Sequence, residues 1–172
     1  TVTEAKMAIA MNNLGGMGII HRFMNVEQQV AHIREVKESG AKIISASIGV
    51  NADFKERTAA LVAAGVNVMT IDIAHGHSVQ MMETLKWLKD TYSDLEVIAG
   101  NLASPDAAVD LIEAGADAIK VGIGPGSMCT TRIITGCGVP QLTAIALCAE
   151  VAQSYGVPVI ADGGIRTSGD MV

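Results

Sequence analysis

The sequence predicts an α/β protein, an incomplete (β/α)8 barrel of about six β/α units, and three observations carry that prediction. Short and almost wholly apolar runs alternate with amphipathic segments, the pattern of parallel strands covered by helices. Helices end at Ala-Gly pairs that lead straight into the next strand, as in Ala63-Ala-Gly-Val-Asn67 and Glu113-Ala-Gly-Ala-Asp117. This weak internal repeat reads as a glycine cap followed by a tight turn. The polar clusters fitted for chemistry all follow strands, and in a barrel the loops after strands share one mouth. A doubly wound open sheet is the alternative, but it would carry its Gly-rich turn at the first strand rather than late in the chain.

The first strand is read at Gly18–His21, followed by a helix over Asn25–Ser39. Val26, Val30, Ile33 and Val36 keep the spacing of one helical face, Asn25 can cap it, and Gly40 can end it in a left-handed turn. Further strands are read at Ile43–Ile48, Val66–Ile71, Leu95–Ala99, Ala118–Val121 and Pro158–Ala161. Helices are read between them at Asp53–Ala64, Ser78–Thr91, Pro105–Ala114 and Gln141–Tyr155. Ser104 followed by Pro105 is a cap and a favourable first helical residue. The methionines Met7, Met11, Met17, Met69, Met81 and Met82 are assigned to packing, Trp87 to the outer side of its helix, and Cys137 and Cys148 to interior or helical positions.

Composition restricts the function classes. Of 172 residues, 49% are hydrophobic and 17% charged, enough to bury a core and too apolar for disorder. A formal charge of −6 argues against general binding to nucleic acid or to a membrane surface. No apolar run is long enough to span a bilayer. Three cysteines without a C-x-x-C pair fit a reducing compartment, the cytoplasm.

Ala118 and Pro158 stand 40 positions apart, wider than the other strand starts, and the excess holds Gly122-Ile-Gly-Pro-Gly-Ser-Met-Cys-Thr-Thr-Arg132. Long loops inside β/α units are usually functional. Three glycines let backbone N–H groups line up as an anion nest, with Ser127 as a further donor. Cys129 in that setting is expected to be more acidic than a free thiol and therefore nucleophilic. A structural cysteine in a Gly-rich turn is the plainer reading. Asp162 and Asp72 each admit a capping role as well as a binding one. His21 and Arg22 are either mouth residues or a helix-start ion pair. His75 and His77 lack a third metal ligand at a recognisable spacing.

These motifs resemble the IMP dehydrogenase/GMP reductase family of (β/α)8 oxidoreductases. The resemblance rests on Gly122–Arg132, Gly136–Ala144, Asp72–Ser78, Ala99-Gly-Asn101 and Ile160–Arg166, with Thr1–Glu4 matching the segment after a first barrel strand. It implies that Cys129 attacks C2 of a purine nucleoside monophosphate, assisted by Thr131. It places the 5′-phosphate on Ser127, Gly163 and Gly164 and the ribose hydroxyls on Asp162. The dinucleotide, NAD or NADP, would lie against Asp72, Asn101, Gly122 and Gly124. A potassium ion on the carbonyls of Gly124, Gly126 and Cys129 would brace the loop, and the family's usual assembly is a homotetramer.

The family has two branches. Thr1–His21, Gly138–Ile145 and Val157–Arg166 resemble the dehydrogenases, which oxidise IMP with NAD in GMP biosynthesis. The absence of room for CBS regulatory domains before Ile43, with His21-Arg-Phe23 and Ser45–Gly49, resembles the reductases, which deaminate GMP with NADPH. The dehydrogenase is the reading taken and the reductase its alternative. Two further readings stand beside these, a non-catalytic nucleotide-binding module and a flavin-type phosphate barrel. With six strands where a full barrel needs eight, residues 1–172 are expected to be a partial catalytic barrel from a longer enzyme.

Overall fold

The computed structural model describes residues 2–172, so Thr1 of the Thr1–Glu4 motif lies outside the described residues. Six parallel strands form one sheet in sequential order, β1 (Ile19–Ile20), β2 (Ser45–Ile48), β3 (Val68–Asp72), β4 (Glu96–Leu102), β5 (Ala118–Val121) and β6 (Val159–Ala161). The connections carry helices α2 (Val26–Glu38), α3 (Phe54–Ala64), α4 (Val79–Thr91), α5 (Pro105–Glu113) and α7 (Gln141–Tyr155), with α1 (Ala5–Asn13) ahead of β1 and a short α6 (Thr131–Thr135) in the cysteine loop. A single 3-10 turn at Ser168–Met171 follows β6. This is the curled half-barrel expected from the sequence: parallel neighbours in chain order, each joined by a helix on the same side.

Local chemistry explains the boundaries. Asn25 and Gln28 form a reciprocal capping box at the start of α2, while Ser78 and Ser104 accept from the N–H groups of Met81 and Ala107 to start α4 and α5. Gly65 ends α3 at φ +117°, a conformation that L-residues with a side chain resist. The repeated Ala-Gly phrases do more than turn the chain. Asn67 Oδ1 accepts from Ile44 N–H at 2.9 Å, and Asp117 Oδ2 accepts from Val97 N–H at 2.7 Å. In both repeats the polar residue after the turn therefore binds the start of the preceding strand, closing the lower end of the sheet.

The core lies between sheet and helices. Ile48, Met69, Ile71, Val97 and Ile119 meet Ile33, Leu61, Met81, Leu85, Leu88 and Leu111, all nearly free of solvent. Buried Gln29 ties this layer together: its amide donates to Ser47 O at 2.8 Å and its oxygen accepts from Arg57 Nη1 at 2.8 Å. Trp87 packs edge-on against Phe54 and Tyr92, on the outer side as expected.

Several expectations need correction. β2 and β3 begin two residues later than read, and β4 runs on to Leu102, because its end crosses a register shift between Gly100 and Leu102. Helices α1 and α6 go beyond the sequence expectation. Met7 and Met11 are exposed by 48% and 37%, since the face of α1 they occupy borders an open cleft, beside Gly18 and Ile19, rather than the packed core. Cys137 is exposed in the loop after α6, whereas Cys148 is buried on α7 as expected, and burial pushes its thiol pKa up.

Candidate active site

Strand register levels the residues that matter. Ile48 pairs with Ile71, Asp72 with Gly100, Leu102 with Val121, and Val121 with Ala161. Asp72, Asn101, Gly122 and Asp162 consequently emerge at one height along the upper edge of the sheet. An open cleft of about 260 Å³ lies there, lined by Arg22, Asp72, Asn101, Gly122, Cys129, Thr131 and Asp162 among others. The structure thus brings the sequence-predicted Asp72, Asn101, Gly122, Gly124, Gly126, Cys129, Thr131 and Asp162 together in one place, whereas Ser127, Gly163 and Gly164 do not line this cleft.

The cysteine loop is built around Arg132. Its Nε donates to Ile123 O at 3.2 Å and its Nη2 to Val139 O at 2.5 Å, clamping the two arms of the loop. Gly124 and Gly138 make room for this side chain, since a Cβ on either would come within 2.6 Å of it. The Asp162–Gly164 turn packs onto the same loop: a Cβ on Gly163 would meet Gly126 Cα at 2.9 Å, and one on Gly164 would meet Pro125 Cβ at 2.9 Å. Ser127 and Gly164, expected at the phosphate, stand on these two touching loops.

Cys129 is exposed, with Sγ 3.2 Å from Thr131 Oγ1. Hydrogen bonds from the Thr131 hydroxyl and backbone N–H hold its pKa below that of an ordinary thiol, and the Arg132 charge adds to the effect against slight desolvation. A lowered pKa means more thiolate at neutral pH, and reactivity that falls away as pH drops through that pKa. Alkylation of Cys129 by iodoacetamide, followed by peptide mass against pH, is expected to show a midpoint below the roughly 8.5 of a free thiol. Thr131→Val should move the midpoint upward.

Asp162 does not cap a helix; no helix begins at Gly163. Its Oδ2 accepts from Lys120 Nζ at 2.6 Å and from Asn101 Nδ2 at 2.7 Å. Burial pushes this carboxyl up, but the Lys120 ammonium and the two hydrogen bonds outweigh it and hold the pKa below the usual carboxylate range. Asn101 also donates to Gly122 O at 2.7 Å, and its Oδ1 accepts from Lys120. The amide that was expected to face the dinucleotide is therefore engaged within the protein and shapes the wall. Asp72 Oδ1 accepts from Lys120 at 2.9 Å, and Asp72 O accepts from Arg22 Nε at 3.0 Å.

Arg22 lines the mouth, while His21 lies 3.5 Å from Glu4 at the start of α1, so the pair divides between its two readings. His77 Nε2 sits 2.7 Å from Asp110 Oδ2, and among the described residues no cluster of three or more His, Cys, Asp or Glu could hold a metal. Lys120 was missed by sequence reasoning. The available signal was a lysine inside the apolar strand Ala-Ile-Lys-Val, where a charge survives only with partners.

Fold and site define a β/α-barrel protein that carries an exposed cysteine of lowered pKa in a loop over the carboxyl ends of its strands. A family model for the IMP dehydrogenase / GMP reductase domain matches residues 1–172. The chain is 54% identical over 149 residues to the inosine-5'-monophosphate dehydrogenase of Halalkalibacterium halodurans, a match covering 86% of this chain and 31% of that protein. It is 43% identical over 213 residues to the protein of the same name from Cryptosporidium parvum, covering 99% of this chain and 52% of that one. The corresponding protein of Borreliella burgdorferi is 39% identical over 221 residues, 100% of this chain and 55% of its own length. The chain spans from about a quarter to just over half the length of the curated relatives it matches. It belongs to the IMP dehydrogenase / GMP reductase family.

Proposed function

We propose that this chain supplies the cysteine-bearing and nucleotide-binding face of an IMP dehydrogenase, acting on the purine C2 of IMP. The observation that carries the reading is the shared cleft of Cys129 and Asp162, held together by the contact of Gly163 with Gly126. Asp162, ionised and fixed, accepts from the paired ribose hydroxyls, and Ser127 with the Gly163–Gly164 backbone receives the 5′-phosphate. Anchoring the nucleotide away from C2 makes the attack a local event. The Cys129 thiolate then forms an Sγ–C2 bond, which turns C2 tetrahedral so that its hydrogen can leave with both bonding electrons. Thr131, 3.2 Å from the sulfur, steadies the thiolate before attack. Water finally displaces the thiolate from C2, giving XMP and returning Cys129 to its starting state.

The opposite wall is the place proposed for the nicotinamide: Gly122 and Gly124 line it with backbone, Ile73 and Ala74 present apolar surface, and Asp72 offers an acceptor to the carboxamide. When bound there, NAD supplies the two-electron acceptor for the C2 hydride. The carbonyls of Gly124, Gly126 and Cys129 are hard oxygen donors suited to potassium, which would brace the loop. The Gly126 carbonyl also accepts from Cys129 N–H at 3.1 Å, which keeps the turn closed. A homotetramer is the assembly proposed, supported by family resemblance alone, and a cytoplasmic location is proposed from three cysteines without a disulfide. No helix among the described residues is long and apolar enough to cross a membrane.

The gene product in its natural length, incubated with IMP and NAD, is expected to accumulate NADH and, on acid quenching, to carry a nucleotide mass on the Cys129 peptide. The reductase reading draws support from the direct passage of α2 into β2, and predicts turnover of GMP with NADPH instead. Tight nucleotide binding with neither turnover nor adduct would overturn both in favour of a non-catalytic module.

A further inference from the structure

We infer that Lys120 is a positioning residue that assembles the two halves of this cleft together, its ammonium joining the dinucleotide-side carboxylate of Asp72 to the nucleotide-side carboxylate of Asp162. The inference rests on the purine-nucleotide reading above and extends it to how the two binding walls depend on each other.

Lys120 stands in β5 with only 7% of its surface exposed, and a buried ammonium is retained when acceptors replace its lost water. It has three, each from a different strand end: Asp72 at 2.9 Å, Asp162 at 2.6 Å and the Asn101 side-chain oxygen. Room for the stem is provided by Gly100 on the neighbouring strand, where a Cβ would lie 2.8 Å from Lys120 Cβ. Two carboxylates converging on one point resist joint ionisation, and a cation between them removes that conflict. Lys120 itself does not line the cysteine cleft. It lines a second cleft of about 490 Å³ on the concave side, whereas Asp72 and Asp162 line both. Its influence on the chemistry therefore passes through those two side chains.

The test compares wild type, Lys120→Met and Lys120→Arg in the natural-length protein. Two readouts are taken: kcat and KM for IMP and NAD, and protection of Cys129 from iodoacetamide by IMP alone. In Lys120→Met the KM values for IMP and NAD are both expected to rise by about tenfold or more, with the half-protecting IMP concentration rising in step. Lys120→Arg, which keeps the charge, should restore most of both. A merely structural lysine would lower the yield of folded enzyme and leave the KM values of the folded fraction alone. Should Lys120→Met fail to fold, Asp72→Asn serves in its place. That change lies on the dinucleotide side, yet it is expected to weaken IMP protection with no dinucleotide present. Unchanged protection in that variant, or a rise confined to one KM in Lys120→Met, overturns the inference. If IMP fails to protect even the wild-type cysteine, the nucleotide reading falls and takes this inference with it. If wild type is protected and Lys120→Met equally so, the inference alone falls.

Discussion

Replacing Cys129 by alanine is expected to abolish the covalent nucleotide adduct and to lower turnover by roughly three orders of magnitude or more, with IMP affinity largely kept. The split follows from where the parts sit. Sγ is the atom that bonds C2, whereas the groups proposed to hold ribose and phosphate belong to the Asp162–Gly164 turn and to Ser127. Alanine removes the nucleophile without adding bulk. The loop is held by Arg132 across Ile123 and Val139, contacts that alanine leaves in place. Calorimetric titration with IMP, beside steady-state kinetics and intact-protein mass, measures all three quantities. Turnover within about tenfold of wild type would refute a covalent route through this sulfur.

Gly122→Ala is expected to produce the largest loss of stability among single changes at the mouth, about 3 kcal/mol or more. Gly122 has φ +147°, in a region that residues with a side chain rarely adopt. A Cβ there would lie 2.4 Å from Asp162 O and 2.9 Å from Gln141 Nε2. The first neighbour is backbone and cannot rotate away. Gln141 is itself fixed, donating to Val121 O at 2.9 Å and Asp162 O at 3.2 Å. Relief therefore requires β5 and the Asp162 turn to part, which would also separate Asp162 from Asn101. Urea denaturation should register a lower midpoint, and nucleotide binding should weaken at the same time. An unchanged midpoint would mean that the two segments do not meet as described.

Most of the architecture was legible because its signals are local. Apolar runs, serine and asparagine caps, and Ala-Gly helix ends each report on a few neighbouring residues, and the parallel order followed from their alternation. The cysteine loop was legible for a similar reason, its glycines, hydroxyls and arginine being contiguous. What escaped depends on contacts between distant residues. Lys120 meets Asp72, Asn101 and Asp162 across 48, 19 and 42 positions, so the sequence displays one odd lysine and none of its partners. Asp162 followed by Gly-Gly looks like a cap until Asn101 and Lys120 are seen on its oxygen. Helix α6 has five residues, too few to carry a period. The exposure of Met7 and Met11 was illegible because helical spacing identifies a face but not what covers it.

The twin clamps of Asn67 and Asp117 bear on how such a protein tolerates change. Both grip strand starts, at the end of the sheet away from Cys129, and Asp117 is further secured by Lys89 at 2.7 Å. Foundations and workplace are thereby housed on separate floors. Variation in the upper loops can alter the cleft while the frame stands, whereas exchange of either clamp should disturb every loop above it.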